Sequence, residues 1–83
     1  MLNKIKEFLS KFRIKNIAFY LALTIQQYKM DFVDVYGKSD MYTIMVLEHL
    51  EKGAMNRYRG DKSISLLKIG EQFNEIMKKY PVD

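Results

Sequence analysis

From Ile14 to Tyr36 the chain runs IKNIAFYLALTIQQYKMDFVDVY without a glycine or a proline. It also carries the densest run of large apolar side chains, Ile17, Phe19, Leu21, Leu23 and Ile25, so it must form a long element that other elements cover. Two periodicities compete in it. Ile17, Phe19, Leu21, Leu23 and Ile25 alternate with Ala18, Tyr20, Ala22 and Thr24, the pattern of a half-buried strand. Ile14, Ile17, Leu21, Thr24, Tyr28, Phe32 and Val35 fall three or four apart through the whole stretch, the pattern of an amphipathic helix. Length decides between them, because strands run roughly 3–10 residues and no turn residue breaks this stretch. The spacing predicts a helix with the second set as its buried stripe; a short strand over 17–25 is the competing reading.

The flanking segments also read as helical. Leu2, Ile5, Phe8, Leu9 and Phe12 make one apolar stripe, predicting a helix over 2–12 that is marginal by itself and leans on the next segment. Gly37-Lys38-Ser39-Asp40 is a turn: glycine suits the left-handed position that closes a helix, and Ser39 or Asp40 can cap the next one. In the segment from Met41 to Lys52, Ile44, Leu47, Glu51 and Ala54 lie in line with Met45, Val46 and Leu50 beside them, which predicts a helix buried on more than one side. Gly53 offers an end to it, yet Leu50, Ala54 and Tyr58 keep the register and favour continuation to Tyr58, at about 1 kcal/mol relative to alanine. Gly60 is the firmer stop. Asp61 or Ser63 is then the expected cap of a last helix, whose stripe is Leu66, Ile69, Gly70, Phe73, Ile76, Met77 and Tyr80. Lys78 and Lys79 suit its negative end, and Pro81 stops it. The expectation is one all-α domain over residues 1–83, a small bundle of three to four helices.

Size and composition then bound function. At 83 residues a single core barely offsets chain entropy. With 48% hydrophobic residues, 13% aromatic and six methionines, the chain has more apolar surface than so small a core hides, which points to a homo-oligomer or a partner groove. The absence of cysteine excludes a disulfide framework and thiolate metal sites. Basic residues precede an apolar run at the N-terminus, as in a signal peptide, but the run from Ile17 to Ile25 is short and no small-residue cleavage site follows. It also falls well below the ~20 residues of a spanning helix. A soluble, cytoplasmic chain is expected.

Little in the sequence can carry catalysis. His49 beside Glu48 is one imidazole and one carboxylate, where a metal needs three or four converging ligands, and no nucleophile elbow surrounds any serine. Asp31 with Asp34, and Glu71 with Glu75, share helix faces among polar neighbours and read as solvated. No enzyme, cofactor or metal site is expected.

Charge is the more informative feature. The net charge is +4, and Lys4, Lys6, Lys11, Arg13 and Lys15 stand against Glu7 alone near the start. The plain reading is a solvated lysine-rich face; the functional one is a basic face of Lys4, Lys11, Arg13 and Lys15 for an anionic partner. The second candidate is the turn with Arg57, Tyr58, Arg59 and Lys62, where guanidinium forks and a following helix N-terminus would take an anion. The leading expectation is a non-enzymatic helical interaction protein, an inhibitor, adaptor or regulatory subunit, that meets another protein through a helix face and this basic loop. One alternative is a nucleic-acid-binding regulator contacting the phosphate backbone through the basic N-terminal helix and the Arg57–Lys62 turn. A second is an immunity-type protein held at a membrane surface by the amphipathic 2–12 stripe.

Overall fold

The computed structural model describes residues 14–82, with side-chain burial from residue 16 onward. Three helices follow one another: α1 Ile14–Tyr36, α2 Met41–Tyr58 and α3 Leu66–Lys79. The chain is all-α among the described residues. Residues 17–25 lie inside α1, so the strand alternative falls; the helix expected over 2–12 lies outside the described residues.

Each boundary has a local cause. Gly37 closes α1 at φ +74°, its N–H donating to the Val33 carbonyl at 2.8 Å. Asp40 then caps α2: its Oδ1 accepts the Thr43 N–H at 3.0 Å and its Oδ2 accepts the Thr43 hydroxyl at 2.7 Å. Gly53 does not interrupt α2, which continues to Tyr58. It ends in a Schellman turn, with Gly60 N–H on the Arg57 carbonyl at 3.1 Å and Asp61 N–H on the Asn56 carbonyl at 3.0 Å, and Gly60 at φ +114° takes the position where a side chain would be strained. The cap of α3 is neither Asp61 nor Ser63. Asp61 instead accepts the Ser63 N–H and hydroxyl within the turn, and Ser65, two residues later, accepts the Lys68 N–H at 3.3 Å. Asp61 satisfies the turn, leaving Ser65 to begin the helix.

The core joins all three helices. Ala22, Ile25, Tyr28 and Phe32 of α1 meet Ile44, Leu47, Leu50 and Ala54 of α2, with Ile69 and Phe73 of α3. In α1 the buried stripe is not the expected one: Tyr28 and Phe32 belong to it, but Ile17 is 52% and Val35 55% exposed, while Ala18 and Ala22 are buried. The stripe is turned by one position in the N-terminal half. Where Ile17 to Leu23 is apolar almost all round, size sets the phase, because small Ala22 in the core lets α2 come close while a larger neighbour would hold it off. Similarly α2 is not buried on several sides; one face is covered and Met41, Tyr42 and Met45 stay exposed. The stripe expected of α3 is observed, with Ile69 and Phe73 buried and Leu66, Ile76, Met77 and Tyr80 packed at its edge.

An aromatic junction fixes the end of α3. Tyr28 meets Phe73 edge-on at 5.3 Å between ring centres, and Tyr80 stands edge-on to Phe32 at 5.2 Å and to Tyr36 at 5.4 Å. The last carbonyls of a helix lack partners within it, and α1 reaches this end: Tyr28 Oη donates to the carbonyl of the C-cap Tyr80 at 2.5 Å, and Tyr36 Oη to the Pro81 carbonyl just beyond it. Burial pushes the Tyr28 hydroxyl above its ordinary value of 10.0, helped by Tyr36 and Tyr80, so it stays a donor. Tyr80 Oη in turn donates to Asp40 Oδ2 at 2.9 Å. Across the other edge of the α1–α2 pair, Lys29 Nζ lies 3.4 Å from Glu51 and 3.9 Å from Glu48, an ion pair near the surface that contributes at most about 1 kcal/mol.

Two outcomes follow from this packing. Phe32, fully buried, touches both the helical core and the junction, so Phe32→Ala is expected to lower unfolding free energy by about 3–5 kcal/mol, read from urea denaturation. The Asp40 carboxyl is held below its ordinary 3.8 first by the Thr43 hydroxyl, then by the Thr43 N–H and the Tyr80 hydroxyl. The unfolded chain therefore binds this proton more tightly, and the stabilisation present above 3.8 is lost as pH falls through the lower folded value. Thermal unfolding between about pH 5 and pH 2 should show Asp40→Asn with a shallower acid limb than the parent; equal limbs would contradict the role given to Asp40.

Candidate functional site

The basic corner expected to take an anion lies at the end of α2 and in the turn that follows. Arg57 and Tyr58 occupy the last turn of α2 and are half-buried, while Arg59 and Lys62 are exposed. Tyr58 packs on Phe19 of α1, ring centres 5.1 Å apart. The helix N-terminus expected beside these cations begins only at Leu66, so its free N–H groups belong to a different part of the connection. The corner also holds its own acid. The Asp61 carboxyl is kept below its ordinary 3.8 by the Ser63 hydroxyl, then by the Ser63 N–H and more weakly by the Arg57 charge. Of the basic face expected at the N-terminus, Lys4, Lys11 and Arg13 lie outside the described residues, as does the side chain of Lys15.

Two concave surfaces stand out instead, on different faces of α2. The first is an apolar groove of 410 Å³ between the end of α1 and the start of α2, where Met30, Val33, Met41 and Ile44 are rimmed by Asp34 and Lys38. Met30 is 57%, Met41 54% and the adjoining Met45 62% exposed. The second is a cleft of 450 Å³ where α2, the connection and α3 come together, lined by His49, Lys52 and Asn56 on one side and Lys68 and Gln72 on the other. Its floor depends on Gly53: a Cβ there would lie 3.2 Å from Ile69 Cδ1, so glycine allows α3 to settle closely on α2.

The remaining polar candidates stay apart. Asp31 accepts from Gln27 at 3.1 Å, Asp34, Glu71 and Glu75 are exposed, and among the described residues no three acidic or imidazole groups gather as a metal would require. No described helix is long and apolar enough to cross a membrane. In comparisons with known proteins, no family model, curated protein or solved structure matches the chain.

Both concave surfaces went unrecognised in the sequence, for different reasons. The groove has a local signal, Met41 and Met45 one turn apart in a segment with more apolar residues than one helix face can bury. The cleft has none, because His49, Lys52 and Asn56 meet Lys68 and Gln72 only once α3 folds back over Gly53.

Proposed function

We propose that this chain is a non-enzymatic interaction protein that takes an amphipathic helix of a partner protein into the methionine-lined groove between α1 and α2. The observation carrying this reading is that Met30 and Met41 line one groove while each is more than half exposed, with exposed Met45 one helical turn beyond Met41. A pair of packed helices offers a groove on each side. In this chain α3 covers one through Ile69 and Phe73 and contributes no residue to the other, so a further helix laid there would extend the bundle by the same packing that built it. Methionine suits such a surface because its unbranched, polarizable side chain adapts to the shape of the incoming face. Asp34 and Lys38 put both signs of charge on the rim, which favours a partner helix with mixed charges beside its apolar stripe.

The test is site-specific photo-crosslinking in the source cells, with the photoreactive residue placed at Met45. One partner protein is expected to be captured, and Met30→Glu with Met41→Glu is expected to weaken capture by about tenfold or more, as loss of a central apolar contact does. The same photoreactive residue at exposed Glu75 on α3 is expected to capture nothing. Capture of a second copy alone, or equal capture from position 75, would overturn the proposal.

A further inference from the structure

The cleft between α2 and α3 differs in chemistry from the methionine groove. Lys52 reaches it from α2 and Lys68 from α3, with His49, Asn56 and Gln72 completing the polar wall. Among the described residues no carboxylate lines it. The acids of α2, Glu48 and Glu51, lie 3.9 and 3.4 Å from Lys29 on the α1 side, Glu71 and Glu75 of α3 are exposed outside the lining, and Asp61 takes its hydrogen bonds from Ser63. Two lysines on separate helices thus line one concavity whose floor, Leu50 and Ile69, is apolar and buried. A cleft of one charge sign over low-dielectric walls concentrates its potential on whatever enters. The amide groups of Asn56 and Gln72 add donors that an anion's oxygens can accept.

We infer that this cleft binds a phosphate monoester, its phosphoryl group between Lys52 and Lys68 and its organic part on the Leu50–Ile69 floor. The charge balance selects the ligand. A phosphate monoester carries about −1.5 to −2 at neutral pH and meets both ammonium groups, whereas a carboxylate or a phosphodiester, with a single charge, leaves one unmatched. The 450 Å³ volume lies within the range of small-ligand sites, and the floor gives an aryl or alkyl substituent a place that inorganic phosphate would leave empty.

Titration of the full chain with phenyl phosphate, followed by amide NMR, tests the assignment. Saturable shifts are expected at His49, Lys52, Lys68 and Gln72, and Lys52→Gln with Lys68→Gln should weaken binding by about tenfold or more. Lys78→Gln with Lys79→Gln removes the same charge from the exposed end of α3 and should leave affinity unchanged; the amide dispersion of both unliganded variants confirms that they fold. Benzyl alcohol, which has the ring without the charge, should not shift these amides. An oligothymidine without terminal phosphates, which has phosphodiesters alone, should not displace phenyl phosphate. The inference is overturned by absence of saturable shifts, by equal response to benzyl alcohol, by displacement with the oligothymidine, or by equal weakening in the Lys78 and Lys79 variant.

Discussion

The hydrogen bond from Tyr80 to Asp40 ties together parts of the chain that no local rule connects. Asp40 begins α2 by holding Thr43, and its Oδ2 also receives the tyrosine hydroxyl that ends α3. Around that contact Tyr28 and Tyr36 satisfy carbonyls at the C-terminal end of α3, and Phe32 and Phe73 fill the space between the rings. Polar and apolar demands are met by the same side chains. Rings that bury large apolar area also carry hydroxyls that need acceptors, and helix ends have carbonyls that need donors. With α3 fixed at this end and resting on Gly53 at the other, the cleft between α2 and α3 acquires a definite shape.

Much of the fold is legible in the sequence because its signals are local. The end of α1, the turn at Gly37, the Asp40 cap, the stop at Gly60 and the stripe of α3 each follow from a few adjacent residues. What escapes is the phase of packing. In the N-terminal half of α1 the apolar residues continue around the helix, so periodicity leaves Ile17 and Ala18 equally eligible for the core; the answer comes from how closely α2 can approach, which is a tertiary property. The displaced cap at Ser65 has a comparable origin, since Asp61 and Ser63 satisfy each other within the turn before either can serve a helix. The candidate site was less legible than the fold. Arg57, Arg59 and Lys62 stand together in sequence but share their corner with Asp61, whereas Lys52 and Lys68 are far apart in sequence and face one cleft.

The proposed functions use what the core leaves over. The described helices have too few facing surfaces to cover every methionine and aromatic residue they carry, and part of the exposed surplus, Met30 and Met41, lines one groove between α1 and α2. Cations are likewise distributed unequally: Lys29 is matched with Glu48 and Glu51, while Lys52 and Lys68 line a cleft in which, among the described residues, no acid stands. The two proposals therefore rest on separate faces of α2.

Through the tyrosine junction α3 belongs to the same cooperative unit as α1 and α2. Native-state amide exchange tests it directly, because segments that open separately show different free energies of opening. Interior amides of α3, such as those of Phe73 and Ile76, are expected to exchange with the same opening free energy as those of Phe32 and Leu47. Rapid exchange throughout α3 while α1 and α2 remain protected would contradict the claim.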